Sequence, residues 1–295
     1  MAALVAQSLV ETPQARTPGY WGGVWRRLSR DPVAIFAGLV ILALILMAIF
    51  APYLAPADPY RASSLRRLRP IGTAGYPLGS DDLGRDMLSR LIFGARLSLF
   101  MGITPVILAF GIGSAIGIFA GYVGGWANTA IMRTIDVFYA FPSVLLAVAL
   151  SGALGAGFGN ALVSLTVVFI PQIARVAEAV TTQVRGRDFV EAARASGAGG
   201  FTIVRVHVLG NVLGPIFVYA TSLISVSMIL ASGLSFLGLG VRPPEPEWGL
   251  MLNTLRTAIY VQPWLAALPG MMIFITSIAF NLLADGLRSA MDVKQ

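Results

Sequence analysis

The feature that most constrains this chain is the run "VAIFAGLVILALILMAIF", Val33 to Phe50, which contains neither a charged residue nor a proline. As an α-helix it would be ~27 Å long, close to the thickness of the hydrocarbon core of a membrane. Only 12% of the chain is charged, whereas a soluble domain carries about 25%. The sequence therefore predicts an all-α integral membrane protein whose surface largely contacts lipid.

Six membrane-spanning helices are predicted from the uncharged runs. They lie near residues 33–51, 98–120, 131–152, 160–181, 213–236 and 264–284. The segments around them are a cytoplasmic tail at 1–32, an external insertion with an amphipathic lead-in at 52–96, a five-helix core at 97–285 with a cytoplasmic loop at about 182–212, and a cytoplasmic tail at 286–295. The stretch "DDLGRDMLSRLIFGARLSL" before the second span is expected to be helical, with Asp81 or Asp82 as its cap, and Gly210–Pro215 to break the chain before the fifth span.

The basic residues predict an orientation with both termini in the cytoplasm. The inner segments would then hold Arg16, Arg26, Arg27, Arg30, Arg133, Arg175, Arg185, Arg187, Arg194, Arg205, Arg288 and Lys294. The outer segments would hold nine arginines, seven of them between Arg61 and Arg96. The bias follows the positive-inside rule only weakly, but long loops can cross a membrane despite their charge. Because the basic residues are scattered between spans, binding of nucleic acid is not expected.

The residues that would support chemistry are largely missing. His207 is the only histidine and there is no cysteine, so a metal site is not expected. No Gly-x-x-x-x-Gly-Lys phosphate loop occurs, so the chain is not expected to hydrolyse ATP or to bind a cofactor itself. Asp136, Glu178 and Asp285 fall near the inner ends of helices, whereas ion-coupled carriers need such groups at mid-depth. A stand-alone secondary carrier and a membrane scaffold remain as alternatives to a subunit powered by another protein.

A polar stretch, "DFVEAARASGAGG", interrupts the apolar chain from Asp188 to Gly200. It predicts a two-turn helix in which Asp188 is the cap, Glu191 closes a capping box and Gly197 ends the helix with a positive φ. Phe189, Ala192, Ala193 and Ser196 would share one small apolar face. Two turns are not stable alone in water, so this helix must pack on lipid headgroups, on its own bundle or on another protein.

Two other patterns indicate contacts between helices. Gly113, Gly117, Gly121 and Gly125 recur every four residues, which predicts a face that another helix approaches closely. Arg133 and Asp136 are three residues apart and would be neighbours on one helix. This second pair fits equally well an ion pair at a helix end and a contact with a cytoplasmic partner.

The segment "DFVEAARASGAGGFTIVRVHVLGNVLGPI" resembles the EAA loop of ABC importer permeases. "YPLGSDDLGRDMLSRLIFGARLSL", "GYVGGWANTAIMRTIDVFYAFPS", "LSFLGLGVRPPEPEWGLML" and "FNLLADGLRSAMD" extend the likeness over nearly the whole chain. Together they are similar to the second, C-type permease subunit of the dipeptide, oligopeptide and nickel importers. One departure is Gly210 in "HVLGN", where the family usually has proline.

The resemblance implies a type I ABC importer permease fold in a bacterial inner membrane. It implies a second related permease, two ATPase subunits that carry ATP and Mg, and an extracytoplasmic binding protein as partners. It also implies that a short coupling helix docks on the ATPase, which here would be Asp188, Phe189, Val190, Glu191, Ala192, Ala193, Ser196 and Gly197. Peptides lead as cargo, with nickel, glutathione, opines and sugars left open, and the residues that line the pathway are unknown.

Overall fold

The computed structural model describes residues 20–291, which form α-helices without a regular β-strand in that range. The first six helices are α1 (Tyr20–Leu28), α2 (Pro32–Ile49), α3 (Ala51–Leu54), α4 (Met87–Val123), α5 (Gly125–Tyr139) and α6 (Ser143–Leu154). The remaining six are α7 (Phe158–Arg185), α8 (Asp188–Ala195), α9 (Gly200–Ile203), α10 (Leu209–Phe236), α11 (Trp248–Thr254) and α12 (Pro263–Met291). A π-helical turn, Val204–Val208, joins α9 to α10, and short 3₁₀ turns lie at Ser64–Arg66 and Ala258–Tyr260.

Five of these helical segments are long and apolar enough to cross a membrane, namely α2, α4, α7, α9 with α10, and α12. A sixth span is obtained if α5 and α6 together cross once, although they meet at an angle of 86°. The prediction of one continuous helix at 131–152 is therefore wrong. Pro142 has no amide hydrogen and disfavours helical backbone at Phe141, so the helix stops at Tyr139 and a new one starts at Ser143.

Aspartates begin two of the spans. The Asp31 carboxylate accepts hydrogen bonds from the amides of Val33 (2.9 Å) and Ala34 (3.2 Å) at the start of α2. In α4 the cap is Asp86, whose Oδ2 accepts from the Ser89 amide at 2.7 Å. The prediction that Asp81 or Asp82 caps this helix is wrong, because the chain from 81 to 86 forms a separate turn ahead of it.

The longest helix, α4, organises the bundle. It has 37 residues and would be ~55 Å long, so it extends beyond the membrane on one side. Its C-terminal half packs along α7, and these two helices with α10 enclose a core around Phe169, Ile173, Val212 and Ile216. Its N-terminal half packs with α2 and α12 around Met87 and other buried residues.

Part of the connection between α10 and α12 is buried at the N-terminal end of α4. Glu247, almost fully buried, accepts hydrogen bonds from the amides of Gly249 and Leu250, both at 2.8 Å, and from the Ser98 hydroxyl at 3.2 Å. Trp248 is fully buried and its amide donates to the same Ser98 hydroxyl at 3.0 Å. These contacts fix α11 against α4.

The predicted segment boundaries shift in several places. The 1–32 tail contains α1, which packs Val24 against α12, and the amphipathic lead-in at the end of the 52–96 segment is the first part of α4, which begins at Met87. The last helix extends to Met291, so most of the predicted 286–295 tail is helical. Arg16 and Lys294, which the predicted orientation places in cytoplasmic segments, lie outside the described residues.

Candidate functional site

The candidate site is the segment between α7 and α10, and its first element is the start of α8. Arg187, in extended conformation (φ −82°, ψ 146°), precedes the helix, and no side chain caps it. The Arg187 carbonyl accepts from the amides of Val190 (2.9 Å) and Glu191 (3.2 Å). The predicted capping box is therefore wrong, because Asp188 lies inside the first turn. There Asp188 and Glu191 still stabilise the helix through its dipole.

The other end of α8 is closed by two backbone hydrogen bonds. The Ala198 amide donates to the Ala193 carbonyl at 3.1 Å, and the Gly197 amide donates to Arg194 at 3.0 Å. This is the Schellman pattern, which requires a left-handed residue after the helix. Gly197 has φ +81° and supplies it.

One face of α8 is anchored to the bundle to which it belongs. Val190 is fully buried and belongs to the same core as Ile203 and Val208, while Ala193 and Ala198 pack against that core. The assignment of Val190 to a contact with another protein is therefore wrong in this structure. Its burial in the bundle gives α8 a fixed position relative to α7 and α10.

The opposite face of α8 is exposed. Phe189 is 43% exposed, and Ala192 and Ser196 lie on the same side of the helix and are also exposed. Glu191 is exposed beside them, whereas Ala193 lies at the boundary with the core. An apolar side chain of this size held in water on a short fixed helix is typical of a surface that another protein covers.

Two exposed apolar residues that the sequence analysis missed extend this surface. Phe201 is 80% exposed at the start of α9, and Val206 is 61% exposed in the π-helical turn. The rings of Phe189 and His207 lie 6.4 Å apart, which places His207 beside the exposed face of α8. The sequence signal that could have identified Phe201 is an aromatic residue directly after the two glycines that follow α8.

The segment leads into α10 without a break. From Gly200 to Phe236 the backbone stays helical, first as α9, then as the π turn, then as α10. The prediction that Gly210–Pro215 breaks the chain is wrong, because both residues lie within α10. A displacement of α8 would therefore act directly on a membrane-spanning helix.

Contacts with α4 place the segment at one end of the bundle. Arg185, at the end of α7, donates to the Gly121 carbonyl at 3.5 Å, and a methyl group at Gly200 would lie 3.3 Å from the Tyr122 hydroxyl. Both contacts are with the last turn of α4, whereas the insertion before Met87 lies at its first turn. α8 and the insertion are thus at opposite ends of the longest helix.

The predicted glycine face lies between α4 and α7. A Cβ atom at Gly113 would lie 2.9 Å from the Ile170 carbonyl oxygen, and one at Gly121 would lie 2.8 Å from that of Glu178. At Gly117 the nearest backbone atom would be closer still, so these three positions admit only glycine at this helix separation. The prediction fails at Gly125, which begins α5 and where an added methyl group would have no atom within 4 Å.

The predicted neighbours Arg133 and Asp136 do not pair. Asp136 forms an ion pair with Arg175 of α7 instead. Arg133 is exposed and forms no ion pair among residues 20–291. The pair that does form joins α5 to α7, and the Arg133 side chain is exposed.

A bundle of five or six apolar spans, with a fixed helical segment displayed between two of them, defines a multi-pass integral membrane protein. Residues 113–294 match the family described as binding-protein-dependent transport system inner membrane component. Residues 19–70 match the N-terminal transmembrane domain of oligopeptide transport permease C. The chain belongs to this family of inner-membrane permeases.

Relatives agree over the full length of the chain. Glutathione transport system permease protein GsiD of Pectobacterium atrosepticum is 42% identical over 99% of this chain and 97% of that protein. The protein of the same name from Escherichia coli O157:H7 is 42% identical over 99% of this chain and 96% of that protein. The predicted resemblance to peptide-type ABC permeases is confirmed, and the chain is a multi-pass permease subunit of an ABC importer.

A solved structure confirms the type of fold. An inward-facing structure of the MetNI methionine ABC transporter superposes with a TM-score of 0.55 at 22% identity, covering 69% of this chain and 97% of that chain. A second crystal form of the same transporter covers 68% of this chain with the same score. The all-α, type I importer permease fold predicted from the sequence is confirmed.

Proposed function

We propose that this chain forms half of the pathway through which an ATP-driven importer moves small peptides, glutathione among them, into the cytoplasm. The other half would come from a second, related permease. Two ATPase subunits would bind ATP and Mg, and an extracytoplasmic binding protein would deliver the cargo. The glutathione permeases at 42% identity support this choice of cargo.

The observation that carries the proposal is the way α8 is held. A helix that receives motion from an ATPase must be rigid, must be exposed on one face and must be joined to a membrane span. α8 has a closed C-terminal end, a face with Phe189, Ala192 and Ser196 exposed, and a core contact through Val190. An ATPase that changes its hold on this face between nucleotide states would shift the bundle, because only such a difference in contacts transmits free energy.

The proposal fixes the sidedness of the bundle. With six spans both termini lie on the same side, and α8 follows the fourth span, so α8 lies on the side of the termini. We place that side in the cytoplasm, where ATP is available. The insertion between α2 and α4 and the connection between α10 and α12 would then face outward, and the hydrogen bond from Arg90 to the Pro244 carbonyl (3.3 Å) supports their common side.

The test is reconstitution into proteoliposomes with labelled glutathione and a labelled dipeptide as probes. The complex of both permeases, the ATPases and the binding protein should accumulate at least one probe only when ATP is supplied. This chain reconstituted alone should accumulate neither. Uptake by the chain alone, driven by an ion gradient, would instead support a secondary carrier.

A further inference from the structure

The insertion between α2 and α4 is rich in arginine, although it lies on the side where arginine is disfavoured. One of the seven arginines between Arg61 and Arg96 serves the adjacent helix α2. Arg96 donates from Nε to the Ala48 carbonyl at 2.6 Å and from Nη2 to the Ile49 carbonyl at 3.0 Å. These are free carbonyls at the C-terminal end of α2, where a cation is favourable.

Two further arginines hold the insertion together. Arg85 and Arg90 are buried, and their Nε atoms lie 2.6 Å and 3.2 Å from the same oxygen of buried Asp81. Arg90 also donates to the Pro59 carbonyl at 3.1 Å. This cluster makes the insertion a fixed structure at the outer end of α4.

The other four arginines form no ion pair. Arg61, Arg66, Arg67 and Arg69 are all exposed, and in the described part of the chain none has a carboxylate within 4.0 Å. Three of them are held in place by uncharged groups. Arg66 donates to the Tyr76 hydroxyl at 3.2 Å and lies 5.6 Å above its ring, Arg67 donates to a backbone carbonyl at 2.6 Å, and Arg69 donates to the Leu65 carbonyl at 3.3 Å. The insertion therefore displays a cluster of positive charges that it does not neutralise.

An apolar residue lies in the middle of this cluster. Leu65 is 88% exposed in the 3₁₀ turn Ser64–Arg66. The turn is fixed to the insertion, since the Leu68 amide donates to the Asp81 carbonyl at 3.0 Å and the Arg69 amide donates to Ser80 at 2.9 Å. A fixed apolar side chain surrounded by arginines has the composition of a protein interface, with an apolar centre and a charged rim.

We propose that Arg61, Leu65, Arg66, Arg67 and Arg69 form a basic docking surface for the extracytoplasmic binding protein, whose contacting face is acidic and has an apolar recess for Leu65. The inference rests on the proposed function, which places the insertion outside the membrane and supplies this partner. Long-range attraction between the two surfaces would speed productive encounters and fix their orientation. The surface explains why the insertion retains arginines that the membrane topology disfavours.

The experiment titrates the binding protein against the reconstituted complex and measures ATP-dependent uptake of labelled glutathione and the labelled dipeptide. The charge reversal Arg61→Glu/Arg66→Glu/Arg67→Glu/Arg69→Glu should raise the half-saturating concentration of binding protein at low salt by tenfold or more, a scale typical of steered association. Replacement of the same four residues by lysine should leave it within about twofold, because charge rather than shape dominates steering. Raising the salt to ~1 M shortens the screening length to ~3 Å and should remove most of the difference.

A matched pair of single variants tests whether the change in half-saturating concentration depends on this surface or on the net charge of the chain. Arg256 is also exposed, between α11 and α12 on the same side, but outside the insertion. Arg61→Glu should raise the half-saturating concentration, and Arg256→Glu should not. Leu65→Asp should raise it even at high salt, because the apolar contact is not screened.

The outcomes distinguish this proposal from the one on which it rests. A wild-type complex that does not respond to the binding protein would refute the proposed function. A wild type that responds, with reversal variants that respond identically, would refute the docking surface alone. Variants that lose affinity for vesicles of anionic lipid, while their titration with binding protein is unchanged, would assign the arginines to the membrane and also overturn the proposal.

Discussion

The Gly197→Ala variant tests the C-terminal end of α8 in isolation from packing. Gly197 has φ +81°, and a methyl group added there would have no atom within 4 Å. The substitution therefore creates no clash, and its cost is the left-handed backbone alone, ~1–2 kcal/mol for a residue with a Cβ. If the C-terminal end of α8 opens to relieve this backbone strain, the ratio of molecules with a closed end to molecules with an open end falls by a factor of ~5–30.

Two turns of helix have little stability of their own, so we expect ATP-driven uptake to fall by a similar factor of ~5–30. Gly199→Ala is the control, since Gly199 has φ −66° and equally open space around its Cβ position. It should retain wild-type uptake. The assay is uptake by purified complex in proteoliposomes, with assembly checked by the yield of all subunits. Equal uptake by the two variants would refute the idea that a closed helix end transmits the motion.

Three further variants test other parts of the structure. Gly117→Leu must separate α4 from α7 at a cost of about 1–3 kcal/mol or more, so the yield of assembled complex should fall. Gly111→Leu, in open space on the same helix, should leave the yield unchanged. Equal yields would contradict the close contact between α4 and α7. Glu191→Lys places a cation in the first turn of α8 and should abolish uptake at an unchanged membrane level, and wild-type uptake would reject the coupling role. Glu247→Ala leaves two buried amides without an acceptor, which costs about 1–3 kcal/mol of stability, so the Tm of the complex should fall by several degrees. Glu245 is less buried, and Glu245→Ala should change the Tm little. Equal Tm values for the two variants would count against the Glu247 cap.

The membrane spans could be predicted because their signal is local. A run such as Val33–Phe50 needs only its length and its lack of charge to be identified as a span, and the structure has α2 at Pro32–Ile49. The positive φ at Gly197 could be predicted for the same reason, because a glycine after a short helix is a local pattern. The likeness of the coupling loop to a known family added the function that composition alone did not supply.

The errors arise where the outcome depends on distant residues. Val190 is four residues from Arg194, and in the sequence the two look equally available for contact with another protein. In the structure Val190 is buried in the core that it forms with Val208. Asp136 pairs with a residue on another helix rather than with its neighbour. The predicted span near 131–152 runs through Pro142, whereas the structure has an 86° angle between α5 and α6 there, which depends on how α6 packs against α7.

The most direct test of the coupling role is crosslinking from single cysteines along α8, which is unambiguous because the chain contains no cysteine. Cysteines at Phe189, Ala192 and Ser196, which are exposed, should crosslink to an ATPase subunit in the assembled complex, and a cysteine at Val190, which is fully buried, should not. The extent of crosslinking should also change when ATP is added. Absence of any crosslink to an ATPase, or labelling of these cysteines from outside intact cells by an impermeant reagent, would contradict the account.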